Sequence, residues 1–259
     1  MRYGRAVIRI FIVFLFVSVT LGIVHRPVIH YVQSLDLFFI KKIEIEGYAV
    51  TNPLQIKKIV GLDYTTSMFA VNSNELEEKL VDHAWIKSAH VKKVWPHDLH
   101  IKVQEHEAAA LLAKGSADYE KLAYINNRGE EIAPVLPGDD LDFPVITIEK
   151  GFSGEKKDVL FNDAVYFLRL VAGNNPNLPA QSVSEIHLNS SEGIVIRLVD
   201  FPFPIYFGEG EVREKYRRLR KVLAVLYKKR RDNTDISQVS YIRMEYYNNK
   251  VLVAQSNSG

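Results

Sequence analysis

The chain holds eight histidines and no cysteine. The lack of thiols excludes disulfide frameworks, thiolate metal sites, iron–sulfur clusters and cysteine nucleophiles. His97, His100 and His106 come closest together in sequence. His100 and His106 share strand parity, but the intervening strand would separate them by roughly 20 Å. A metal site there would need a further ligand and a bend, so the pattern reads as an exposed strand face and no metal is expected. Asp139, Asp140 and Asp142 form an acidic run after Pro137-Gly138. Paired carboxylates can exchange protons or hold calcium, but the spacing lacks the Asp-x-Asp-x-Asp-Gly pattern and reads as a solvated turn. Gly208-Glu209-Gly210 precedes a helical stretch, as a phosphate cradle would. Glu209, Glu211 and Glu214 crowd that start and would repel a phosphate; they suit the helix dipole instead. No nucleophile elbow, zinc-protease helix or P-loop is written in the chain. The expectation is a protein with no catalytic residues, no cofactor and no small-molecule substrate.

Two features could carry binding. Arg213, Lys215, Arg217, Arg218, Arg220 and Lys221, then Lys228 to Arg231, crowd one helical segment. A solvated face opposite an apolar stripe accounts for them; contact with anionic lipid or with an acidic partner would use the same charges. Nucleic acid is not the expected partner, because the formal net charge is only +2. The second feature is the last strand-like stretch, with Tyr241, Tyr246 and Tyr247. A closing strand tends to lie at a sheet edge, where unpaired backbone groups can accept another chain. Tyrosines add the aromatic area of binding hot spots. Tyrosine-rich strands are also common in cores, so the residues alone leave both readings open.

These candidates must be positioned by the rest of the 259 residues, enough for one or two domains. Hydrophobic residues make up 47% and charged residues 25%, which suits a chain with a substantial core. Residues 10–24 carry no charge, and Val7 and Ile8 extend the apolar run across Arg9. A spanning helix needs about 17–25 residues, and 7–24 fits if Arg9 reaches back to the interface. Arg2, Arg5 and Arg9 precede it, so the positive-inside rule places the N-terminus in the cytoplasm and the bulk of the chain outside. The competing reading is a cleaved signal peptide. No Ala-x-Ala site follows the apolar run, which favours an uncleaved anchor. Residues 25–37 make a juxtamembrane connector, with Pro27 stopping a helical continuation.

The stretch FFIKKIEIEG at 38–47 alternates as a strand, with Ile43 and Ile45 on one face. Asn52-Pro53 opens a helix with Pro at its first position, Leu54, Ile56, Ile59 and Val60 give its apolar side, and Gly61 ends it. A second helix is expected from Asn72, with Glu75 completing an approximate capping box and Leu76 and Leu80 stacked at i, i+4. Ser88 to Trp95 and Leu99 to Glu105 read as strands around the turn at Pro96-His97-Asp98. The order is β–α–α–β–β. Further on, strands are expected at Leu122–Ile125, Glu130–Ala133, Pro144–Ile148, Val183–Leu188, Ile194–Val199 and Ile205–Phe207. A helix is expected at Val159–Ala172, and a long one at Glu211–Arg231 with Val212, Tyr216, Leu219, Leu223 and Leu226 as its apolar stripe. Strands at Val239–Tyr246 and Val251–Ala254 close the chain.

The stretch HAWIKSAHVKKVWPHDLHIKVQEHEAA carries a resemblance. It matches the form W-[IV]-x-x-A-x-V-x-x-x-W-P-x-x-L-x-[IV]-x-[IV]-x-E at Trp85, Ile86, Ala89, Val91, Trp95, Pro96, Leu99, Ile101, Val103 and Glu105. That form resembles a POTRA domain, and more narrowly the POTRA domain of the bacterial cell-division family FtsQ, called DivIB in some lineages. The chain has Glu107-Ala108-Ala109-Ala110 where the family usually has a proline. LAYINNRGEEIAP, FGEGEVREKYRRLRKVL and YIRMEYYNNKVLV are similar to later family segments, with Asn126 in place of the usual Asp. The resemblance covers anchor, POTRA domain and β domain in that order.

The resemblance implies an α+β protein. A cytoplasmic tail (1–6) and a single transmembrane helix (7–24) precede the connector (25–37). A βααββ POTRA domain (38–106), a mixed α+β domain with a mostly antiparallel sheet (107–255) and a flexible tail (256–259) follow. It implies a non-enzymatic inner-membrane scaffold of the divisome. Its partners would be small bitopic coiled-coil division proteins of the FtsB/DivIC and FtsL types, together with other division proteins. The implied partner-binding residues are Arg243, Tyr246, Tyr247, Asn248, Asn249, Lys250 and Val251, with Arg213 and Arg217 on the basic helix. A second edge in the POTRA domain would use Ala89, Val91, Lys92 and Lys93. A POTRA-bearing transport or outer-membrane assembly factor is the alternative, although no run of barrel-like strands is visible. An anchored hydrolase lacks any nucleophile–base grouping.

Overall fold

The computed structural model describes Tyr31 and residues 35–114, 121–201, 203–231, 239–246 and 250–255. The expected cytoplasmic tail, the spanning helix at 7–24, most of the connector and the tail at 256–259 lie outside the described residues. Among the described residues, no helix is long and apolar enough to cross a membrane. The chain divides into two compact units between Glu105 and His106.

The first unit opens with a 3-10 turn at Asp36–Phe38, then β1 (Lys42–Glu46). Helix α1 (Pro53–Val60) starts as the sequence predicts. Asn52 Oδ1 accepts from the Gln55 amide, the Asn52 amide donates to Gln55 Oε1, and Gly61 closes the helix in the left-handed region. Helix α2 (Ser73–Val81) follows, then β2 (Ile86–Val94) and β3 (Asp98–Glu105). The sheet order is β1-β3-β2, with β1 parallel and β2 antiparallel to β3. Alternation sends Leu99, Ile101 and Val103 inward to meet Ile56, Val60, Leu76 and Leu80 from the helices. Two expectations fail here. Asn72 makes no side-chain cap bond, so the box with Glu75 is not formed. Leu54 is 77% exposed, because it sits in the first turn and faces away from the sheet that Ile56 and Val60 cover.

Gly47 follows β1 at φ +84°, and a Cβ there would run into the Val103 carbonyl oxygen. Glycine is therefore what lets the chain leave β1 so close beside β3. Just beyond, Glu105 at the end of β3 reaches back across the sheet. Its carboxylate accepts bonds from the consecutive amides of Ala49 (2.9 Å), Val50 (2.7 Å) and Thr51 (3.0 Å), and from the Thr51 hydroxyl. Burial works against its charge, but the Thr51 hydroxyl and the amides outweigh that cost. The carboxyl is held below the usual carboxylate range.

Among the described residues, the second unit is one nine-stranded sheet in the order β12-β11-β10-β9-β8-β7-β4-β5-β6. The strands are β4 (Ala108–Lys114), β5 (Lys121–Asn126), β6 (Glu131–Pro134), β7 (Val145–Ile148), β8 (Val183–Asn189), β9 (Gly193–Leu198), β10 (Ile205–Gly208), β11 (Val239–Tyr246) and β12 (Lys250–Gln255). Pairings β12–β11, β10–β9, β9–β8, β4–β5 and β5–β6 are antiparallel; β11–β10, β8–β7 and β7–β4 are parallel. The sheet is thus mixed, with antiparallel contacts in the majority. Strand β4 is absent from the sequence reading, which treats its alanines as a junction. Alanine has little strand propensity, but Ala110 and Leu111 are buried between β5 and β7. Helices α3 (Glu155–Val171) and α4 (Val212–Arg231) pack on the core formed with the sheet. The expected stripe of α4 is borne out: Val212, Tyr216, Leu219, Leu223 and Leu226 are all buried. Helix α3 begins at Glu155, a turn earlier than its apolar spacing indicates.

Candidate functional site

Strand β12 terminates the large sheet, and among the described residues no strand pairs with its outer side. Its alternation places Val251 and Val253 against the core, while Lys250 is exposed. The pairing with β11 runs Ile242↔Val253 and Arg243↔Leu252, then shifts by one residue before Tyr246↔Lys250. That bulge lies at the hairpin end, where the local strand is re-aimed. Of the residues expected to bind a partner, Arg243, Tyr246, Lys250 and Val251 are brought together on this hairpin. Tyr247, Asn248 and Asn249 lie outside the described residues, as do the side-chain surroundings of Tyr246.

Arg243 is not a free cation for a partner. It is ion-paired with Glu192 at 3.0 Å, and its guanidinium lies 4.7 Å above the Tyr206 ring. Tyr206 meets Tyr241 edge-on at 5.7 Å. Tyr206, Tyr241 and Arg243 therefore line the sheet face opposite Ile205, Phe207, Ile242 and Met244, which are buried. These intramolecular contacts occupy the Arg243 guanidinium. A partner acid would have to share it with Glu192.

The basic helix divides in the same way. Arg213 and Arg217 are exposed, and Arg217 pairs with Glu214 at 2.6 Å. Lys215 departs from the expected solvated face: its residue exposure is only 2%. It donates to the Glu209 carbonyl (2.6 Å) and to the Glu245 carboxylate, and its ammonium sits 5.7 Å from the Phe207 ring centroid. Glu245 also accepts the Glu209 amide at 2.9 Å. Gly208, at φ +78°, leaves the room: a Cβ there would strike the Glu245 carboxylate. The Gly-Glu-Gly turn is thus a cradle for a side chain of this chain. It ties the start of α4 to the end of β11, one residue before Tyr246. Sequence reasoning placed these residues but missed the cradle. Lysine in a run of cations carries no mark of burial except its i, i+4 spacing to the stripe residue Leu219.

In the first unit, β2 forms a sheet edge. Ala89 is half-buried, Val91 is buried, Lys92 is exposed and Lys93 is half-buried. The Val91 amide points away from β3 and donates to Glu77 of α2 at 2.7 Å, and His90 Nδ1 lies 3.1 Å from the same oxygen. One carboxylate thus caps this edge at its middle. Lys93 is also occupied, donating to the Met68 carbonyl at 2.9 Å.

The histidines and aspartates have local partners. His97 Nδ1 lies 2.5 Å from Asp98 and His100 Nε2 lies 2.8 Å from Glu44. Asp139 accepts the Leu136 amide and Asp140 the Asp142 amide, as in a turn. Among the described residues, no group of three or more His, Cys, Asp or Glu side chains could hold a metal ion.

Comparison with known sequences adds a family frame. Residues 38–106 match the model of the POTRA domain, FtsQ-type, and residues 113–244 match that of the cell division protein FtsQ/DivIB, C-terminal. The cell division protein FtsQ of Anaeromyxobacter sp. (strain K) is 30% identical over 194 residues, which span 74% of this chain and 64% of that protein. The FtsQ of Geotalea daltonii is 23% identical over 231 residues, 86% of this chain and 78% of its own. That of Geobacter sp. (strain M21) is 25% identical over 223 residues, 83% and 76% respectively.

Proposed function

The chain belongs to the FtsQ/DivIB family of cell division proteins, and from that premise we propose that it is a non-enzymatic membrane scaffold of the divisome. In this reading residues 7–24 anchor it in the inner membrane, with Arg2, Arg5 and Arg9 keeping the N-terminus in the cytoplasm. Both folded units lie on the extracytoplasmic side. A small bitopic coiled-coil partner of the FtsB/DivIC type, accompanied by an FtsL-type protein, docks by adding a strand to β12.

The observation that carries this reading is the terminal place of β12 in the sheet. Strand addition draws affinity from main-chain bonds and specificity from alternate side chains. Tyr246 and Tyr247 would supply aromatic anchors. Lys250, Arg213 and Arg217 would supply charge for an acidic partner segment, with Asn248 and Asn249 forming the turn. The β2 edge, at Ala89, Val91, Lys92 and Lys93, would take a second division protein once Glu77 releases the Val91 amide.

The test is the affinity of the full chain for the FtsB/DivIC-type protein of the same genome, with Tyr246→Ser and Tyr247→Ser as the variant. Loss of an aromatic hot spot should weaken binding by about 2 kcal/mol or more, roughly thirty-fold. Unchanged affinity in a folded variant would assign the surface elsewhere.

A further inference from the structure

The first unit carries an aromatic patch beside the end of β2. Phe38, Phe69 and Trp95 form a triangle, with ring centroids 5.1, 6.1 and 4.9 Å apart. Phe69 is 41% exposed and Trp95 50%, and Leu37, next to Phe38 in the chain, is 51% exposed. Single exposed apolar residues are ordinary, but a cluster of them in mutual contact is not.

The patch is built from separate segments that the backbone locks together. The Met68 amide donates to the Phe38 carbonyl at 2.8 Å, the Ile40 amide to Thr66 at 3.0 Å, and the Lys41 amide to His97 at 2.9 Å. These bonds tie the entering chain to the loop before α2 and to the β2–β3 turn. Lys93 lies 5.9 Å from the Trp95 ring centroid, and Lys41, three residues after Phe38 in the chain, is exposed, with Asp36 as the nearby acid in sequence.

The place of the patch in the chain selects its occupant. The uncharged apolar run ends at Val24, and the described chain enters the first unit at Leu35. The intervening residues span at most about 35–40 Å when fully extended. A surface tethered that closely meets the bilayer at high effective concentration. Tryptophan, phenylalanine and leucine with flanking lysines are the side chains that favour the headgroup boundary.

We propose that Leu37, Phe38, Phe69 and Trp95 form a docking face that seats the POTRA unit on the outer surface of the phospholipid bilayer. The proposal rests on residues 7–24 being the anchor. It fixes the height of the unit above the membrane and therefore limits where its β2 edge can meet a partner.

The chain has only two tryptophans, Trp85 and Trp95, so Trp85→Phe leaves Trp95 as the sole tryptophan reporter. The full chain with that substitution is reconstituted into vesicles of phosphatidylcholine and phosphatidylglycerol. A matched set carries phosphatidylcholine brominated at a shallow acyl position. Trp95 emission should fall about two-fold in the brominated set, as expected for a ring at the headgroup boundary. Adding Leu37→Ser and Phe69→Ser should remove most of that quenching; the loss of the Phe69 ring contacts lowers stability by about 1–3 kcal/mol, and a cooperative urea transition shows that the variant is still folded. Vesicles are also washed in alkaline carbonate. Retention of the chain with Trp95 unquenched overturns the docking face alone. Release of the chain with Trp95 quenched beforehand overturns the anchor and leaves the face standing. Release with no quenching overturns both. Shielding of Trp95 from aqueous acrylamide only on addition of an FtsB/DivIC-type protein makes the patch a protein site and also overturns the proposal.

Discussion

Lys215 and Glu245 form an ion pair in which the cation is sealed from water and the anion is half open: their side chains are 3% and 48% exposed. The pair joins α4 to the end of β11, next to the hairpin that carries Tyr246. Its asymmetry makes the consequences of cutting it unequal.

Replacing Glu245 with alanine strands a buried ammonium, which keeps only the Glu209 carbonyl. Removing one partner of a fully buried pair costs about 3–5 kcal/mol; water entering at the half-open Glu245 side brings the loss here to about 2–3 kcal/mol. Replacing Lys215 with methionine removes the buried charge and returns Glu245 to water, at a cost of about 1 kcal/mol. Urea denaturation of the full chain should therefore rank Glu245→Ala well below Lys215→Met. Equal losses would contradict the asymmetry.

Gly208→Ala should act through the same pair. It forces a side chain into a backbone at φ +78° and into the Glu245 carboxylate. A loss of about 2 kcal/mol or more is expected, together with weaker partner binding if the hairpin end depends on the cradle. A Gly208→Ala protein of unchanged stability would rule out the steric account.

Glu105 should make the first unit sensitive to acid. Its folded carboxyl lies below the ordinary value of 4.5. Its stabilisation is therefore fully present above the unfolded value and is lost as pH falls through the lower folded value. Glu105→Gln should lower the unfolding free energy at pH 7, read by urea denaturation, by about 1–3 kcal/mol for bonds to a charged acceptor. The difference from the parent should shrink as pH falls below the unfolded value. A difference that is constant with pH would mean that the charge contributes nothing.

Glu77→Ala should open the β2 edge. The Val91 amide loses its acceptor, and its hydrogen exchange should speed up roughly ten-fold for a bond worth about 1.5 kcal/mol. Exchange at the neighbouring amides bonded to β3 should change little. If the Val91 amide exchanges at the same rate in both proteins, Glu77 is not the cap of this edge.

Much of this was legible in the sequence, for reasons that differ by element. Ile43, Ile45, Leu99, Ile101 and Val103 alternate cleanly because their sheet has one buried face, so period and burial agree. Asn52, Pro53 and Gly61 are local signals and worked locally. Strand β4 was invisible because its place depends on pairing with β5 and β7, while its alanines favour a helix over a strand. Asn72 resembles a cap, but its side chain makes no cap bond. The terminal position of β12 was expected from its being last. The occupied state of Arg243 was not, since Glu192 and Tyr206 reach it only through sheet pairing. Lys215 looked like its basic neighbours. Only the packed helix shows that its ammonium sits against Phe207.

The most direct test of the account is amide hydrogen exchange of the full chain in lipid nanodiscs, with and without the FtsB/DivIC-type protein of the same genome. Strand addition at β12 predicts that peptides spanning Lys250–Gln255 gain strong protection when the partner binds, because edge amides acquire acceptors. Peptides from β6, at the opposite edge of the sheet, should not change. Saturating partner binding with no added protection in β12 would contradict the central claim.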